Sequence, residues 1–305
     1  MTCNATEPCF PLELEREIFE TAAIFYPEMI PSLLCVARRA HYWIEPLLYR
    51  EIHLTDSGRG NAAWTSLLSK SEEFAARSVR HLVLDHSLDV TSQETIQGLQ
   101  KCTMVTHLAL FPSLPPIHDL LPIFSAMPLH RLAGHLHDLF DLNSDTISLQ
   151  LRPFQSLTHL DIFDDLDSIK LSILDAILAL PSLRHLSVQC SHDLQSTMES
   201  AEYILARSNL DALVFLAAEN NCSNKSEDET DDKVAHTVGD MQKHIDDPAF
   251  VMCTYADWDE GASEGPSFWT VVDEFVESKQ KRRQLKDVQG RVRVRRNKSF
   301  WFPNE

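Results

Sequence analysis

The feature that most constrains this 305-residue chain is an internal repeat. The segments SVRHLVL at 78–84, MVTHLAL at 104–110, SLTHLDI at 156–162, SLRHLSV at 182–188 and NLDALVF at 209–215 share one frame, with PLHRLAG at 128–134 a degenerate copy in phase. Their central leucines, Leu82, Leu108, Leu132, Leu160, Leu186 and Leu213, lie 26, 24, 28, 26 and 27 residues apart. A period of that length marks stacked units, each a short strand plus a helix, that bury a core only by sharing it with their neighbours. Segments 92–102, 117–127, 170–180 and 196–207 supply the helices, and Leu171, Leu174, Ile177 and Leu178 recur at helical spacing before Pro181. The expected class is therefore α/β, with parallel strands inside and helices outside.

Strand alternation then sorts the side chains. Leu82 and Leu84, Leu108 and Leu110, Leu160 and Ile162, and Leu186 and Val188 form the inward row. The opposite row carries Val83 and Asp85, Ala109 and Phe111, Asp161 and Phe163, and Ser187 and Gln189, which predicts an open sheet face of mixed aromatic and acidic character. Asp85, Phe111, Asp161, Phe163 and Gln189 are the candidate substrate-binding residues, suited to a basic, partly apolar protein segment. Burial of Phe111 and Phe163 beneath a loop or insertion is the competing reading.

Residues 10–54 precede the repeats and are dense in apolar positions punctuated by Pro11, Pro27, Pro31 and Pro46, which divide them into three short helices. Leu14, Ile18, Ala22 and Phe25 form a stripe on the first, and Leu33, Ala37, Ala40 and Ile44 on the second, with Ser32 as its cap. So few residues bury little by themselves, which predicts packing against the repeats downstream. After the repeats, the acidic stretch 219–232 lacks apolar residues and reads as a disordered loop. A helix at 233–245, a strand at 249–255 and a closing helix at 267–283 come next, the last with Phe268, Val271, Val272, Phe275 and Val276 on its apolar side. Ten basic residues between Lys279 and Lys298 make a cationic tail, a solvated counterweight to acidic surface or a nuclear-import or nucleic-acid patch. The expected organisation is a helical module at 1–55, repeats at 56–218, an acidic loop at 219–232, a strand and capping helix at 233–284 and a basic tail at 285–305.

Charge and cysteine usage narrow the function. A net charge of −18 argues against general affinity for nucleic acid or anionic membrane. Seven widely spaced cysteines, with no close pair for zinc or redox work, suit a reducing compartment. With no basic-then-apolar opening and no long apolar run, the expectation is an intracellular protein of cytoplasm or nucleus. Nucleophile-elbow, phosphate-loop and zinc-protease motifs are absent from the sequence, and eight glycines are too few for a glycine-built nucleotide fold. His81, His107, His159 and His185 form a column across four repeats, but Arg131 and Ala212 interrupt it, so it reads as strand-edge residues hydrogen-bonded to neighbouring turns. Asp161, Asp164, Asp165 and Asp167 read as a solvated acidic turn. No catalytic residue, metal or cofactor is expected.

The stretch FPLELEREIF at 10–19 resembles the opening of an F-box, with Pro11, Glu13, Leu14, Ile18 and Phe19 at matching places. Phe10 stands where that motif has leucine, Glu15 where it has an aliphatic residue, and the tryptophan falls at Trp43. The segment LLCVARRAHYWIEPLLYREI at 33–52 is similar to the second half of fungal F-box-like proteins, many of which continue into degenerate leucine-rich repeats. The resemblance implies a three-helix module that docks on the Skp-type adaptor of a cullin-RING ubiquitin ligase through Pro11, Leu14, Ile18 and Phe19, followed by a leucine-rich-repeat solenoid that holds a protein substrate. The competing role for Leu14 and Ile18 is to face the repeat core, making the chain a non-catalytic scaffold.

Overall fold

The computed structural model describes residues 10–54, 58–84, 93–110, 120–139, 152–190, 194–217, 244–254, 258 and 268–289. The chain is mixed α/β and divides into two compact units, Met1–Leu129 and His130–Glu305.

In the first unit, helix α1 (Leu12–Phe25) starts at Pro11, whose carbonyl accepts the Glu15 N–H at 3.0 Å and whose ring fixes the entry angle. A 3-10 turn at Pro27–Met29 leads into α2 (Ile30–Leu34) and α3 (Arg38–Ile44), followed by another 3-10 turn at Glu45–Tyr49. The second predicted helix is thus broken at 35–37, where extended Ala37 restarts it. These pieces close around Ala23, Ile30 and Ile44, with Phe19, Leu33, Leu34, Trp43 and Leu47 packed alongside.

Strand β1 (Glu51–Leu54) comes at once and pairs parallel with β2 (His81–Leu84), which pairs parallel with β3 (His107–Leu110). A strand at 51–54 lay hidden within the predicted helical module, although Ile52 and Leu54 alternate with Glu51 and His53 as in the later repeats. The helical module is therefore not separate: it shares its unit with the first strands. Helices α4 (Gly58–Leu68), α5 (Glu72–Ser78), α6 (Gln93–Lys101) and α7 (Leu121–Phe124) complete the described part. The Ser71 hydroxyl caps α5 by accepting the Phe74 N–H at 3.2 Å. Where α6 meets α4, a side chain at Gly98 would lie 2.3 Å from the Trp64 ring, so only glycine permits that approach.

The second unit holds five parallel strands, β4 (Arg131–Gly134), β5 (His159–Asp165), β6 (His185–Gln189), β7 (Ala212–Ala217) and β8 (Phe250–Thr254), paired in chain order. Among them lie α8 (Leu136–Leu139), α9 (Arg152–Gln155), α10 (Leu171–Leu178) and α11 (Leu194–Arg207), and α12 (Phe268–Gln289) comes last. The registers bear out the repeat frame: Leu82 faces Leu108, Leu132 faces Leu160, Leu160 faces Leu186 and Leu186 faces Leu213. The predicted inward residues of β2, β3, β5 and β6 are all buried. The backbone explains the constant frame. The residue before each strand donates to its counterpart one repeat back, Thr106 to the Arg80 carbonyl and Arg184 to the Thr158 carbonyl, at 2.8 and 2.9 Å.

The two units differ in how much of each strand is covered. Strands β2 and β3 alternate buried and half-buried positions, whereas β7 and nearly all of β8 are buried along their length. Their continuous apolar runs, ALVFLA and FVMCT, are those of strands covered on both faces. Cover comes from Trp258 and from Phe268, Trp269, Val272 and Val276, all buried. Lys279 ties α12 to β8 by donating to the Asp247 and Phe250 carbonyls at 2.9 and 2.7 Å, and burial pushes its ammonium pKa down to about 8.

Candidate docking surface

Helix α1 is apolar on two sides. Phe19, Ala22 and Ala23 turn inward, and the Phe19 ring meets the Trp43 ring at 6.4 Å. On the other side Leu14, Ile18 and Phe25, at helical spacing, are exposed at 49%, 53% and 73%. Arg39 on α3 reaches Glu15 at 2.7 Å and Arg16 reaches Glu20 at the same distance, so ion pairs frame the exposed stripe. The predicted stripe of Leu14, Ile18, Ala22 and Phe25 exists, but Leu14, Ile18 and Phe25 face outward rather than toward a core.

That stripe is part of a larger concentration. Of the thirteen large hydrophobic side chains exposed among the described residues, eleven lie between Phe10 and Leu48, and only Met104 and Leu171 lie elsewhere. Scattered exposed apolar groups are normal, whereas a cluster of them on one small module marks a candidate interaction surface. Pro11, Leu14 and Ile18 are all exposed, while Phe19 is half-buried against Trp43 and supports the helix from within.

The second predicted surface is different. Asp85 and Phe111 lie outside the described residues, as do the acidic stretch 219–232 and the tail from 290. Asp161 and Phe163 are buried, at 5% and 3%, which corrects the expectation of an open sheet face at these positions. Trp269 donates its indole N–H to the Asp161 carboxylate at 3.3 Å, and the Phe163 ring packs edge-on against Trp258 at 4.7 Å. The apolar side of the closing helix is legible in the sequence; that it lands on this row is not. Gln189 is half-buried. Burial pushes the Asp161 carboxyl up to about 7, against the lowering effect of the Trp269 and Trp258 hydrogen bonds and the Arg131 charge.

The histidine column is a packed feature. His81 and His107 rings lie 4.1 Å apart, as do His159 and His185, the latter pair stacked and flanked by Trp269. His107 and His159 bond the threonine immediately before them, at 2.9 and 2.8 Å, and His185 reaches Asp273 on α12 at 2.8 Å. The acidic turn is corrected in part: Asp161 and Asp164 are buried, while Asp165 is half-buried and Asp167 exposed. Asp164 is buried, not solvated, and accepts the N–H groups of Leu136 and His137 as well as the His137 ring. His135, His137 and Asp164 thereby bring three donor atoms within 4.8 Å of one another, a set a divalent transition metal could take, although the carboxylate is already engaged in starting α8. The HLH triplet at 135–137 is its sequence signal. Burial pushes the Cys102 and Cys190 thiols up to about 12, far from thiolate nucleophiles at neutral pH. None of the described helices is long and apolar enough to cross a membrane.

Comparison with family models, curated proteins and solved structures finds no match for this chain.

Proposed function

We propose that this chain is a substrate receptor of an SCF-type cullin-RING ubiquitin ligase, an F-box-like module followed by degenerate leucine-rich repeats. Its α1–α3 segment docks on the Skp-type adaptor, and the repeats hold a protein substrate. The observation that carries the reading is the exposed apolar stripe of α1 on a module otherwise built around its own small core. Such a receptor makes and breaks no bond: it raises the local concentration of a target near a ubiquitin-charged enzyme on other subunits. With Asp161 and Phe163 covered, substrate contact falls to half-buried or exposed positions such as Val83, Ala109 and Gln189. Cytoplasm or nucleus is the setting that fits.

Docking of this kind rests on a few apolar groups near the interface centre. The test is Pro11→Ala with Ile18→Ala, assayed for adaptor affinity by calorimetry and for stability by thermal melting. Affinity should fall at least about tenfold, roughly 1.4 kcal/mol, with little change in melting temperature because Ile18 is already exposed. A parent chain that never binds the adaptor, or a double variant that loses stability instead of affinity, refutes the assignment in favour of a scaffold.

A further inference from the structure

Within the first unit a groove of about 620 Å³ opens between the N-terminal helices and the leading ends of β2 and β3. Four arginines line it, Arg16, Arg50, Arg77 and Arg80, in a chain whose net charge is −18. Arg16 is answered by Glu20 at 2.7 Å, also in the lining. Arg50, Arg77 and Arg80 make no ion pair among the described residues. Arg50 acts on the Glu51 carboxylate only through its charge, and that carboxylate is bonded to the His81 ring at 3.1 Å.

Two of the three unanswered cations are held in place. Arg77 stacks over the Tyr42 ring at 4.3 Å and donates to the Tyr42 hydroxyl at 2.5 Å. Arg80 gives one nitrogen to the Ala76 and Val79 carbonyls, both at 2.8 Å, which leaves its remaining donors for the groove. Burial depresses the Arg80 pKa, and the like charge of Arg50 adds to the effect. The His107 and His81 rings and the Thr106 hydroxyl complete the polar wall.

A cluster of like charges, fixed by bonds that do not neutralise it, costs folding energy that a multiply charged anion recovers. Planar guanidinium forks match tetrahedral oxyanions, and three of them suit a dianion better than a lone carboxylate. We infer that this groove is a binding site for a phosphate group, carried on a small organic molecule or on a phosphorylated side chain. The groove borders the α1 docking stripe through Arg16, Glu20 and Ile24 but takes in none of Pro11, Leu14, Ile18 and Phe25, so the variants that test one reading leave the residues of the other in place.

The experiment is calorimetric titration of the full chain with inorganic pyrophosphate and with a phosphoserine peptide, chloride serving as the ionic-strength control. The variant is Arg50→Gln with Arg77→Gln, leaving Arg80 to hold the end of α5; Arg207→Gln, outside the groove, is the comparison. Saturable binding is expected for at least one phosphate probe. It should weaken about tenfold or more in the double variant and stay unchanged in Arg207→Gln, with a ligand-free melting temperature in the double variant no lower than the parent's. Equal affinity for the two probes assigns a free phosphate compound, and tighter peptide binding assigns a phosphorylated protein. If the double variant melts early, Arg50→Gln alone carries the test at a smaller but measurable loss. No saturable binding of either probe, or binding indifferent to these arginines, overturns the inference.

Discussion

Replacing Asp161 by Asn should change how stability depends on pH, and the buried carboxyl sets the size of the effect. An ordinary carboxyl titrates at 3.8, whereas the folded chain holds Asp161 at about 7. Between those values the folded state keeps a proton that the unfolded state has released, so raising the pH favours unfolding until the folded-state pKa is passed. From about pH 5 to about pH 8 this one group costs roughly 2 to 3 kcal/mol of stability. Asn keeps the shape and an acceptor for the Trp269 N–H but removes the titration. Urea unfolding of parent and variant at several pH values isolates the effect, because the other titrating groups are common to both. The variant should lose less stability over that interval and be the more stable protein at the alkaline end. Parallel pH profiles for the two proteins would refute the reasoning and mean that Asp161 ionises without cost, through solvent reaching it past Trp258 and Trp269.

Leu108→Asp and Leu186→Asp each place a charge at a position no more than 2% exposed, and both should abolish soluble expression or lower the melting temperature steeply; thermal melts matching the parent would contradict the register. Gly98→Ala should destabilise by about 1 kcal/mol or more in chemical denaturation despite alanine's better helix propensity, because its Cβ meets the Trp64 ring.

The repeat frame is legible because four of its six units write the core twice, in a leucine two residues before another aliphatic side chain, and carry a His at the strand start. The degenerate copy at 128–134 is legible by phase alone, and it is β4. The exposed stripe of α1 is half legible. Periodicity locates Leu14, Ile18 and Phe25 on one face, yet period cannot say whether a stripe turns toward a core or a partner, and Ala22 and Ala23 on the inner side are too small to signal packing. Strand β1 escapes the sequence reading because Pro46 and the apolar run Leu47–Tyr49 draw it into the helical module. The arginine groove leaves no local pattern, since Arg50, Arg77 and Arg80 come together only when β1 pairs with β2.

The same repeat yields strands of two kinds, and the difference decides where a partner can bind. In β2 and β3 the row opposite the leucines is His81 and Val83, then His107 and Ala109, all half-buried, which leaves no large apolar group in need of cover. In β5 to β7 that row becomes Asp161 and Phe163, Ser187, and Val214 and Leu216, of which Phe163, Val214 and Leu216 cannot stand in water without loss. The chain supplies its own cover there, and the match is chemical: an indole N–H for the buried carboxylate, an aromatic edge for Phe163, and a carboxylate on α12 for His185. An aromatic and acidic row read in isolation suggests a docking face, but the same composition is what a chain uses to seat its own closing helix. The distinguishing sequence feature lies far downstream, in Trp258, Trp269 and Asp273, whose polar atoms complement the row they cover.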